Sequence, residues 1–265
     1  MWRVRFSETY LKSIMQNNIW EERFSEIYQA DRYAGWKDGI MRADRKETLR
    51  YLGYRGQEIE PQILQLIEET AEELERSSMP KSIYQEYECQ VTPDKVKLRG
   101  LEIHSQNLAR NLKGCERAVL LAATIGRAAD FMIKKYSVSN MAKAAVVQAA
   151  GAACIESYVD EVEGRIREDA GKRGLYLRPR FSPGYGDFAL EWQKEIFQIL
   201  ECQKRIGVTL TEGNLMMPSK SVTAIIGLTT KERESCQMET CSLCAKTDCE
   251  FRIDNAAAEG EKDEF

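Results

Sequence analysis

Arg178-Pro-Arg180-Phe-Ser-Pro183-Gly184-Tyr185-Gly186 concentrates the groups best suited to hold a small charged ligand. Two prolines fix φ, and two glycines permit left-handed backbone and close approach. The stretch has no hydrophobic period, so it predicts a rigid irregular loop carrying two guanidinium groups and a phenol. Such a loop suits an anionic or zwitterionic ligand: a guanidinium grips a carboxylate through two parallel hydrogen bonds, and glycine N–H groups reach a ligand unobstructed. A plain Pro/Gly-rich connection between helices is the competing reading. A second constellation is Cys236, Cys241, Cys244 and Cys249, spaced C-x4-C-x2-C-x4-C. Four close thiols suit zinc or an iron–sulfur cluster. The first three match a plant-type [2Fe–2S] run, but the fourth is too near. Zinc sites ordinarily use two C-x-x-C knuckles, and here there is one. Reactive thiols on a flexible tail are the alternative.

The elements that must position these groups read as follows. At 265 residues the chain forms one large domain or two small ones. A net charge of −4 gives no basic excess for nucleic acid. No apolar run reaches the ~18–20 residues of a membrane span. Eight cysteines without a secretory signal imply a reducing, cytoplasmic setting, and the four dispersed cysteines read as structural. Residues 1–40, with Trp2, Trp20 and Trp36, read as an extension or an extra helical layer, and Met41 opens the core. Residues 41–90 read as a helical segment with helices over 44–53 and 60–77, 91–232 as the ligand-binding domain, 233–253 as the cysteine segment, and 254–265 as a disordered acidic tail.

Within the ligand-binding domain, 95–98 and the apolar run 118–125 predict strands, and Ser105 caps a helix ending near Gly114. After Gly126 a helix runs to about Tyr136, and 140–170 form a long helix. Its first half is rich in small residues, and Glu156 marks the junction with its amphipathic second half. Either Glu156 is a solvated surface acid or it is buried with a partner. A helix from about Asp187 to Lys204, capped by Asp187, follows the loop, and 208–210 and 221–228 predict strands around a turn at 211–214. Few short strands among helices, without βαβ alternation, predict an α+β fold with a twisted antiparallel sheet flanked by long helices.

On these residues the chain resembles the AdoMet-binding activation domain of cobalamin-dependent methionine synthase. The family's R-x-x-x-G-Y-P appears as Arg180-Phe-Ser-Pro-Gly184-Tyr185-Gly186, with glycine in place of the final proline, which predicts a looser loop. Ala123–Gly126, the long helix with Glu156, and Met217-Pro-Ser-Lys-Ser221-Val are further points of similarity, over roughly 90–230. The resemblance implies that Arg180 binds the AdoMet carboxylate, Glu156 faces its ammonium, and the Pro183-Gly184-Tyr185 backbone holds the adenosyl end. It implies a free-standing activation subunit acting on a corrinoid-carrying methionine synthase chain, with an electron donor. The cysteine cluster is not part of that domain, and iron–sulfur there would suit electron delivery.

The corrinoid-binding D-x-H-x-x-G is missing: the single histidine, His104, has Glu102 two before it and Asn107 three after. Cobalamin is therefore expected only through a partner. Two other classes stay in view: a stand-alone AdoMet-dependent methyltransferase, which lacks its usual Gly-rich loop, and a non-catalytic metal-binding module.

Overall fold

The structure is a computed structural model describing residues 43–54 and 58–231. In chain order these form α1 (Arg45–Tyr51), α2 (Pro61–Ser77), β1 (Lys81–Val91), β2 (Lys95–Leu98), β3 (Leu101–His104), α3 (Gln106–Asn111), β4 (Arg117–Thr124), α4 (Ala128–Tyr136) and α5 (Met141–Gly171). Then follow β5 (Tyr176–Leu177), a 3-10 turn (Leu190–Trp192), α6 (Gln193–Ile199), α7 (Cys202–Arg205), β6 (Thr209–Leu210), β7 (Met216–Met217) and β8 (Ser221–Thr229). The main sheet runs β3-β2-β1-β4-β8-β5 with every neighbouring pair antiparallel, and β6 and β7 make a separate ribbon.

β4 explains the layering. Its run Ala118–Ala123 is apolar at every position because both faces are covered. Val119, Leu121 and Ala123 face a core made with α2, α4 and α5, while Ala118, Leu120 and Ala122 face one made with α3, α6 and Phe188. Burying each such Val or Leu contributes about 1.5–3 kcal/mol. α5 lies against the sheet through Ala150, Cys154, Val159 and Val162, and Asn140 caps its start by accepting from the Lys143 N–H at 3.0 Å. Small residues let it approach closely. At Gly151 an added Cβ would lie 3.0 Å from the Lys220 Cε, so a larger residue there would press on that buried lysine stem.

Three expectations change. Residues 81–91 carry no sequence-predicted strand, yet β1 is the longest strand and pairs with β4 from Lys81↔Thr124 to Glu88↔Arg117. The expected boundary at residue 90 thus falls inside a central strand. The helix expected over 187–204 is a 3-10 turn and two short helices, interrupted where Glu201 adopts φ 50. Among the described residues no helix is long and apolar enough to cross a membrane. Residues 1–40, the cysteine cluster and the 254–265 tail lie outside the described residues.

Candidate functional site

The loop after β5 is built on Phe188. This ring is fully buried and stacks on Phe181 with centroids 6.2 Å apart. The Phe188 carbonyl accepts from the Gly184 N–H at 2.7 Å, the Phe188 N–H donates to the Tyr185 carbonyl at 3.0 Å, and the Tyr185 N–H donates to the Ser182 carbonyl at 3.3 Å. Phe181 in turn exchanges two backbone hydrogen bonds with Ile225 of β8, at 2.9 and 2.8 Å. The N–H groups of Gly184 and Tyr185, read from the sequence as ligand donors, are therefore used inside the loop. What the loop presents outward is the Tyr185 ring, 62% exposed.

Its far end is tied down as well. Asp187 does not cap the helix that follows it. Its carboxylate accepts from the N–H groups of Gln106 (2.7 Å) and Asn107 (3.1 Å) and from the Ser105 hydroxyl (2.5 Å), capping α3 instead. Burial would raise the Asp187 pKa, but these hydrogen bonds outweigh it and hold the carboxyl below its usual range. Gly186 takes φ +55, and an added Cβ there would collide with the Asn107 amide. Proline, fixed near φ −65°, cannot follow this path. The glycine that predicted a looser loop belongs to a tightly fastened one.

At the near end, Arg180 reaches α5. Its Nη2 donates to Glu156 Oε2 at 2.7 Å, and its Nη1 donates to Asp160 Oδ1 at 2.5 Å and to Glu163 Oε2 at 2.6 Å. The three acids stand at i, i+4 and i+7, so one helix face presents all of them. Side-chain exposure falls from 65% at Asp160 through 42% at Glu156 to 10% at Glu163. Burial works against the Arg180 charge, but the three carboxylates outweigh it and raise the guanidinium pKa further. α1 packs beside α5, and burial together with Glu156 raises the Tyr51 pKa, so its phenol stays neutral there.

Arg180 and Glu156, paired in the sequence analysis as two halves of one ligand site, are thus in contact with each other. Asp160 and Glu163 were missed, although their spacing from Glu156 was the available signal. The Met217–Val222 segment closes on the end of β4: the Ser221 hydroxyl donates to the Pro218 carbonyl at 2.8 Å and lies 2.9 Å from the Thr124 hydroxyl, within hydrogen-bond reach. The Lys220 ammonium donates to the Gln148 carbonyl at 3.0 Å, and burial lowers its pKa. Gly126, ending the Ala123–Gly126 match, takes φ +83 with its Cβ position 3.2 Å from the Met79 carbonyl. Cys89, Cys154 and Cys202 are buried, and burial pushes each thiol up to about 12, consistent with inert packing. Among the described residues no group of three or more His, Cys, Asp or Glu could hold a metal ion.

Residues 121–238 match the vitamin B12 dependent methionine synthase activation domain. A crystal structure of the MetH reactivation domain bound to AdoHcy superposes with a TM-score of 0.50 at 15% identity, covering 66% of this chain and 67% of that one. The fold is that of a methionine synthase activation domain. The matched region of this activation-domain fold begins within β4 and includes Glu156, the Arg180 loop and the Met217–Val222 segment. β1 to β3 and the helices α1 to α3 precede it. No curated protein matches the chain.

Proposed function

We propose that this chain is a free-standing activation subunit of a cobalamin-dependent methionine synthase, working in the cytoplasm as an accessory to a corrinoid-carrying chain. It binds AdoMet at the Arg180 loop and offers the methyl group to a corrinoid whose cobalt has fallen to Co(II). The observation that carries this reading is the contact of Arg180 with Glu156 beneath a fastened R-x-x-x-G-Y loop. AdoMet brings a carboxylate and an ammonium on one carbon, and the pair offers a partner to each. Asp160, the most exposed of the three acids, is the one that yields its place to the ligand carboxylate. The exposed Tyr185 ring and the Pro183–Gly184 backbone border the adenosyl end.

In the reaction, one electron from a donor protein converts Co(II) to Co(I). The reduced cobalt attacks the sulfonium methyl, the C–S bond breaks with its electron pair on sulfur, and AdoHcy leaves. The protein's part is placement: fixing the methyl group converts an encounter into an effectively intramolecular step. Cys236, Cys241, Cys244 and Cys249 are proposed as a metal–thiolate centre, iron–sulfur or zinc, and the iron–sulfur form would pass on the electron. Metal and visible-absorption analysis after anaerobic purification tests that assignment.

Calorimetric titration of AdoMet tests the ligand site. Arg180→Ala should cost roughly 1.5–3 kcal/mol, or about 10- to 150-fold in affinity. Wild-type protein that binds no AdoMet, alone or with the corrinoid chain, would overturn the reading.

A further inference from the structure

We propose that the Arg180 cluster sorts its ligands by net charge, holding the cationic sulfonium and releasing the neutral thioether. The inference rests on the ligand site proposed above. Three carboxylates contact one guanidinium, so these four side chains hold a formal surplus of two negative charges. On α1, which packs beside α5, the cation Arg50 has an acid partner of its own. Arg50, whose guanidinium lies 4.3 Å from the centroid of the Tyr51 ring, is paired with Glu47 at 2.7 Å. The neutral Tyr51 phenol adds no charge of its own.

AdoMet and AdoHcy share the amino-acid head and differ in the sulfur. In AdoMet the sulfur is positive and stands four bonds from the carboxyl carbon. A head group held between Arg180 and Glu156 therefore places that charge within reach of the acid surplus. Loss of the methyl group removes the charge and leaves every other contact unchanged. The product is then held by fewer attractions than the donor, which favours its departure after transfer. Glu163 cannot escape by turning to solvent, because its side chain is only 10% exposed, so part of the surplus is fixed in the fold. Attraction between a ligand charge and partly exposed carboxylates gives a preference of about tenfold for AdoMet at low salt.

The test compares AdoMet and AdoHcy by calorimetry on wild type, Asp160→Asn and Glu156→Gln, with thermal unfolding checking that each variant folds. The expected wild-type preference for AdoMet is about tenfold at low salt, shrinking in ~0.5 M salt as charges are screened. Each variant should narrow the ratio, whichever way its absolute affinities move. Equal affinity for the two ligands in wild type, or a ratio untouched by both variants, would overturn the sorting while leaving the ligand site standing. Binding of neither ligand would instead overturn the functional reading beneath it.

Discussion

Two charge clusters in this protein are built with opposite stoichiometry. Glu86 on β1 is one carboxylate between two guanidiniums: Arg173 grips it through both oxygens at 3.0 and 2.7 Å, and Arg117 of β4 donates to it as well. Arg180 is one guanidinium among three carboxylates. The Glu86 cluster joins two neighbouring strands to the turn after α5, and its excess positive charge rests on arginines 43% and 46% exposed, where water screens it. The Arg180 cluster keeps one of its surplus acids almost wholly buried, where screening is weak. The first is complete as a staple. The second holds more acid than base among its own four side chains, the surplus on which the proposed charge sorting rests.

The comparison breaks hardest at Phe188. Phe188→Ala removes the support of the Arg180 loop without altering either cluster's charge. It should cost about 3–5 kcal/mol in denaturant unfolding, with AdoMet binding weakened in the protein that still folds. Arg180→Ala comes next, with the affinity loss given above and no change at Glu86. Gly186→Ala should cost about 1–2 kcal/mol, from left-handed backbone and the collision with Asn107; adding Asn107→Ala should return part of it.

Glu86→Gln sharpens the contrast from the other side. It should lower stability by about 1 kcal/mol or less and leave ligand affinity alone. Burial alone would raise the Glu86 pKa, but Arg173 and Arg117 outweigh it, so the folded value lies below the ordinary 4.5. A depressed carboxyl contributes stability that is complete above the unfolded value and is lost as pH falls through the folded one. Unfolding measured from about pH 6 to pH 3 should show a steeper acid loss in wild type than in the Gln variant.

How much of this was legible in the sequence depended on how far each partner lay along the chain. β4, β8 and α5 announced themselves through apolar runs and small residues, and the loop through its prolines and glycines. β1 was legible but not read: Tyr87, Cys89 and Val91 alternate with Glu86, Glu88 and Gln90, and only Tyr84 and Gln85 interrupt the period begun at Ile83. Asp187 stands where a helix cap is expected, but the donors it serves lie 80 to 82 residues earlier, a relation no local pattern carries. Asp160 and Glu163 could have been found from helical spacing once Glu156 was singled out. Their convergence on Arg180 required knowing that β5 returns the chain to the side of α5.

The order of the sheet has a bearing on colloidal behaviour. Among the described residues β4 alone of the long strands is paired on both sides along its whole length: β1 meets β4 over Lys81–Glu88 but β2 only over Cys89–Val91, and β5 meets β8 only at Leu228 and Thr229. Along β3, Glu102 carries charge and draws Lys95 and Lys97 of β2 toward it. The one-sided stretch of β1 is charged as well, with Lys81, Glu86 and Glu88 along it, and charge on an edge works against strand addition. Among the described residues, protection against edge-to-edge pairing therefore comes from charged side chains rather than from short strands.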